Sequence, residues 1–120
     1  MFGQTIETIM RKVEGATAAL VVGMDGFVIE QQCVPDHDLS VDAIAAETAS
    51  LIREAETSSQ DLGLGGLVET NLKTDSFYLL TQRVTPDYFI CLVVSVDGNF
   101  GRARFELRKA RALLEKEFVI

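Results

Sequence analysis

The stretch from Ala16 to Gln32 (Ala-Thr-Ala-Ala-Leu-Val-Val-Gly-Met-Asp-Gly-Phe-Val-Ile-Glu-Gln-Gln) constrains the fold more than any other part of the chain. Two β-rich runs flank Asp25-Gly26, a dipeptide favoured where a two-residue turn needs positive φ, so a β-hairpin is predicted. Ala18 to Val22 is apolar without alternation, and both faces of that strand need cover, as in the middle of a sheet. Phe27 to Gln31 alternates, with Phe27 and Ile29 on one face and Val28 and Glu30 on the other, which suits a strand nearer an edge.

The elements on either side follow from spacing. Ile6, Ile9, Met10 and Val13 form one stripe of a helix over residues 3 to 13, which Gly15 ends. Val34 to Asp38 reads as a loop, and Ser40 as the N-cap of a second helix running to about Ser58. Gln60 to Gly66 is a glycine-rich connection. Leu67 to Leu72 alternates, with Val68, Thr70 and Leu72 opposite Leu67, Glu69 and Asn71, as in an edge strand. Phe77 to Gln82 and Tyr88 to Val96 are two further strands, the last apolar enough to be buried on both faces. Asn99 caps a final helix with the stripe Phe100, Ala103, Leu107, Ala110 and Leu114, extended by Phe118. The order is α-β-β-α-β-β-β-α. Short turns join neighbouring strands and two strands need cover on both faces, so the expected fold is α/β: a three-layer α/β/α sandwich on a five-stranded, mainly antiparallel sheet, one domain over residues 1–120.

The second helix carries an excess. At about 100° per residue, Val41, Ile44, Ala45, Thr48, Ala49, Leu51, Ile52 and Ala55 fall within an arc of about 160°, where covering a sheet needs roughly 100°. Either a loop packs on the surplus, or a second copy of the chain does. The second copy is the simpler account, because most oligomers are symmetric dimers.

Chemistry is sparse. The two cysteines, Cys33 and Cys91, lie far apart and read as reduced thiols of a cytoplasmic protein, Cys91 in the core. The single histidine, His37, sits between Asp36 and Asp38 in a loop, and three consecutive residues rarely converge on one ion. With no other histidine, a nucleophilic triad has no marked nucleophile. The glycines at 63, 65 and 66 follow a helix and open a strand, the reverse of a phosphate-binding loop. No cofactor, metal or catalytic activity is expected. A net charge of −7 argues against nucleic-acid binding. No apolar run approaches the roughly 20 residues of a membrane span, and the N-terminus lacks a secretory pattern, so membrane insertion is not expected. From Asn99 onward the chain is locally basic. Interleaved glutamates favour a solvated face with paired charges over a partner-facing patch.

Val13-Glu14-Gly15, then Ala18 to Ile29, an alanine-rich helix, and Leu62 to Thr70 (Leu-Gly-Leu-Gly-Gly-Leu-Val-Glu-Thr) together resemble the Roadblock/dynein light chain family, as do Val96 to Gly101 and the closing Leu107 to Arg111. The chain is similar to the bare single-domain, MglB-like bacterial and archaeal members. The resemblance implies the same sandwich. It also implies pairing through the second helix and the following edge strand, which joins two sheets into one. With the wide stripe, it makes Val41, Ile44, Ala45, Thr48, Leu51, Ile52, Leu67, Glu69 and Asn71 the expected homodimer interface. It further implies action on a small Ras-like GTPase, as activator or effector, with the exposed side of the paired second helices as docking surface. Asp42, Glu47, Arg53 and Glu54 are the candidates there. The alternative within the family is a passive scaffold or structural subunit with no effect on hydrolysis. A heterodimer with a related chain is the other form of pairing. Arg53 and Arg83 are the arginines outside the termini that a transition-state role would have to use.

Overall fold

A computed structural model describes residues 2–118, the side chain of Phe118 excepted, so the expected packing of Phe118 lies outside the described residues. The elements are α1 (Phe2–Lys12), β1 (Ala16–Gly23), β2 (Val28–Cys33), α2 (Val41–Asp61), β3 (Glu69–Lys73), β4 (Phe77–Thr85), β5 (Tyr88–Ser95) and α3 (Phe100–Phe118). All strand pairs are antiparallel, in the order β2-β1-β5-β4-β3. The two strands that needed cover on both faces, β1 and β5, lie side by side in the middle, and the two mixed strands, β2 and β3, are the edges.

The hairpin differs in detail from the two-residue turn expected. Gly23 N–H donates to Phe27 O at 3.0 Å, leaving a three-residue loop of Met24, Asp25 and Gly26. Gly26 N–H donates to Gly23 O at 2.8 Å and Gly26 has φ +91°, the pattern of a turn closed by a left-handed residue. Asp25 Oδ1 accepts from Phe27 N–H at 3.1 Å, which holds the loop shut. β2 therefore starts at Val28.

The caps form where the residues predict them. Ser40 Oγ accepts from Ala43 N–H at 3.3 Å, and Asn99 Oδ1 from Arg102 N–H at 3.0 Å. Gly15 and Gly98 pass back to back: Ser95 N–H donates to Gly15 O at 2.8 Å, and a Cβ on Gly15 would come within 2.8 Å of Gly98 Cα. The end of α1 and the start of α3 are thereby packed together, so two glycine motifs far apart in sequence serve one crossing.

Two cores result. On one face of the sheet, α1 and α3 bury Ile6, Ile9, Val13, Ala103, Leu107, Ala110 and Leu114 against Ala19, Val21, Leu80, Ile90 and Leu92. On the other, α2 alone buries Ala45, Ala49 and Ile52 against Leu20, Val22, Phe89 and Cys91. A helix is roughly 10 Å across and strands lie about 4.8 Å apart, so two helices cover a five-stranded sheet and one does not. α2 is centred on β1 and β5. The half of its face that belongs to β4 and β3 is left open.

Candidate interaction surface

The open half is an apolar groove of about 340 Å³ between α2 and the β3–β4 hairpin, lined by Ile44, Leu51, Leu72, Phe77, Leu79 and Val93 with Glu47 at its rim. Leu51 is 52% exposed, Leu72 49% and the neighbouring Val68 54%. Leucines on one helix and one edge strand, exposed side by side, form a continuous patch of the kind that marks contact sites.

The structure places the residues of the expected pairing surface differently from one another. Leu51 is exposed, and Val41 and Ile44 are half-buried at the margin of the core. Ala45, Thr48 and Ile52 are not at the surface: they are 0%, 2% and 2% exposed and face the chain's own sheet. The wide stripe therefore divides into a buried part and an outward part led by Ile44 and Leu51. Thr48 also bonds the Cys91 thiol. Burial pushes that thiol up to about 12, with the Thr48 contact acting in the opposite direction.

The edge strand needs a second correction. Leu67 was expected to share a face with Glu69 and Asn71. It instead packs on the α2 side with Val28 and Leu79. Glu56 Oε2 accepts from Leu67 N–H at 2.6 Å and turns Leu67 out of the alternation, while Val68 O still accepts from Arg83 N–H at 2.9 Å in the β3–β4 register. Hydrogen bonding from Leu67 and Gln60, with the Arg83 charge, lowers the Glu56 carboxyl below its usual range against its desolvation. Ser59 Oγ donates to Gly65 O at 2.8 Å, so the glycine-rich connection is tied to the end of α2.

Glu69 points to the opposite face. It pairs with Arg104 Nε at 2.8 Å and Arg108 Nε at 3.2 Å and accepts from Asn71 and Gln82. Burial alone raises it, but these hydrogen bonds and the Arg104 charge outweigh burial and hold the carboxyl at about 2. The other arginines of α3 are also engaged: Arg102 with Glu106 at 3.0 Å, and Arg111 with Arg83 O at 2.7 Å and Glu115 at 3.9 Å. The four arginines of α3 are thus all engaged, two with acids of their own helix and two with Glu69 of β3.

Asp42, Glu47, Arg53 and Glu54 are all exposed on α2, but they do not form one patch. At about 100° per residue, Asp42 and Arg53 share one side of the helix, and Glu47 and Glu54 another more than about 90° away. The first side faces the β1–β2 hairpin, where Arg53 Nη1 donates to Met24 O. The second lies toward the groove. Arg83 is clamped by Glu56 at 3.0 Å, Thr85 O at 3.3 Å and Pro86 O at 3.0 Å.

Leu72, Phe77, Leu79 and Val93 are groove residues that spacing along the chain does not single out. The signal available for them was the count of three helices against five strands, which leaves one region of sheet uncovered. His37 Nδ1 accepts from Leu39 N–H at 3.1 Å. Among the described residues no group of three or more His, Cys, Asp or Glu is placed to hold a metal ion, and no helix is long and apolar enough to cross a membrane.

Fold and surface together define an α/β/α sandwich domain with two free sheet edges and an apolar strip beside its central helix. The Roadblock/LC7 domain model matches residues 4–95, and the chain belongs to that family. An uncharacterized protein of Methanocaldococcus jannaschii is 24% identical over 109 residues, covering 91% of this chain and 90% of its own. Among solved structures, MglC from Myxococcus xanthus is 28% identical with a TM-score of 0.69, covering 96% of this chain and 97% of its own. Myxococcus xanthus MglB superposes with a TM-score of 0.87 at 14% identity, covering 98% of this chain and 94% of its own.

Proposed function

We propose that this chain is a homodimeric regulator, activator or effector, of a small Ras-like GTPase in the cytoplasm, and not itself an enzyme. Two copies pair along α2 and the β3 edge, closing the apolar grooves against each other and joining the sheets. The GTPase docks on the outward side of the paired helices. The observation that carries the reading is the groove itself: Leu51 and Leu72, each about half exposed, stand beside a free strand edge. Such a surface suits a twofold contact, in which every residue counts twice.

The arginines favour an indirect mechanism. A finger must reach out of its own protein to the transferred phosphoryl group. The guanidinium of Arg53 is engaged by the Met24 carbonyl, and that of Arg83 by Glu56 and two carbonyls. Activation in this reading comes from positioning the GTPase's own residues.

Binding to a candidate Ras-like GTPase from the same organism, loaded in turn with a non-hydrolysable GTP analogue and with GDP, tests the proposal. Preference for the GTP form supports regulation. Equal affinity for both forms would point to a passive scaffold instead.

A further inference from the structure

The sheet has a second free edge. Among the described residues β2 pairs only with β1 and lies at the end of the sheet opposite β3, so a contact there leaves the α2–β3 surface untouched. Where β2 begins, the β1–β2 hairpin and the β4–β5 turn flank a cleft of about 440 Å³. Met24, Phe27, Ile29 and Tyr88, with Phe2 at the start of α1, give it apolar walls, and Asp25 and Asp87 its charge. Among the described residues no lysine, arginine or histidine lines it. Phe27, just before β2, is 74% exposed and Ile29, where β2 bulges and its pairing with β1 shifts register, 41%; both line the cleft. The two acidic turns are held together, since Met24 N–H donates to Asp87 O at 2.8 Å. Arg53 meets the Met24 carbonyl but is not among the residues lining the cleft.

We propose that the β2 edge and this cleft receive an extended, basic segment of a partner protein, added to the sheet as a sixth strand. The backbone groups on the free side of an edge strand are a template for strand addition, and pockets beside them read alternate side chains. Six residues of β2 span about 20 Å, with Glu30 to Cys33 in continuous register beyond the bulge at Ile29. The side chain that fits the cleft is Arg or Lys. Its methylene stem lies along Phe27 and Ile29, where a cation also gains from the aromatic face, and its charge sits between Asp25 and Asp87. The chain's charge of −7 draws such a segment in from a distance.

Two synthetic peptides test this, (Arg-Val)₄ and (Glu-Val)₄, titrated into isotope-labelled protein at physiological salt while amide exchange and chemical shifts are followed. The Arg peptide is expected to slow exchange across Val28–Cys33 and shift Met24, Asp25 and Asp87, and the Glu peptide to do neither. Phe27→Ala and Asp87→Asn, both at exposed positions, are each expected to weaken binding at least threefold while leaving the fold intact. No binding, an equal response to both peptides, protection confined to Glu69–Lys73, or unchanged affinity in both variants would overturn the proposal.

Discussion

Leu51→Ala separates the interface from the fold because half of this side chain is already buried in the isolated chain and half is not. Its exposure is 52%. The substitution removes three carbons, worth about 0.8 kcal/mol each when fully buried, so roughly 1.2 kcal/mol of its contribution is still available to a partner. In the proposed dimer a twofold axis brings both copies into the contact, which makes the loss about 2.4 kcal/mol per dimer, or a Kd about 60-fold weaker. The buried half costs the fold about 1.2 kcal/mol, about 5 °C in Tm, which leaves the monomer folded. Leu51→Asp goes further, since it buries a charge without a partner, and should give a monomer at micromolar concentration. Sedimentation equilibrium over a dilution series reads both effects, the mass falling from about twice 13.2 kDa to that value. A Kd within twofold of wild type for Leu51→Ala, together with an undiminished mass for Leu51→Asp, would refute the reasoning and put the pairing surface elsewhere.

Two further predictions concern the fold. The Glu69 carboxyl is held at about 2, below its ordinary 4.5, so its contribution to stability is full above pH about 4.5 and is lost as pH falls toward 2. Glu69→Gln should therefore destabilise by about 1 to 2 kcal/mol at neutral pH, with the difference shrinking across that interval in denaturant titrations. A difference that stays constant with pH would contradict the assignment. Gly98→Ala would place a Cβ on the Glu14 carbonyl oxygen and 2.8 Å from Val94 Cγ1, and should cost about 1 to 3 kcal/mol, read as a lower Tm. Gly101→Ala, which meets only Asn99 Oδ1 at 3.6 Å, should leave Tm unchanged or raise it.

Much of this architecture is local in origin, and those parts were readable. The Ser40 and Asn99 caps, the doubly covered β1 and β5 and the edge character of β2 and β3 each follow from residues within one element. The features that were not readable depend on contacts across the chain. Leu67 changes face because Glu56, eleven residues earlier, captures its N–H. Glu106 looks like one more solvated charge of α3. It is only 3% exposed, against Arg102 and beside α1. The helical stripe of α2 runs beside the groove, yet angle alone could not divide Ala45, Thr48 and Ile52, which face inward, from Leu51, which faces out. The β4 and β5 side of the groove was invisible for the same reason: whether Phe77, Leu79 and Val93 are covered depends on where α2 comes to rest.

The central claim is regulation of a GTPase by a dimer. Its most direct test is single-turnover GTP hydrolysis by a candidate Ras-like GTPase from the same organism, alone, with this protein, and with the Leu51→Asp variant. Acceleration by the wild-type chain that is lost with the variant is the predicted result. An unchanged rate with an active GTPase that shows no preference for its GTP form, or equal acceleration by the variant shown to be monomeric, would contradict the account.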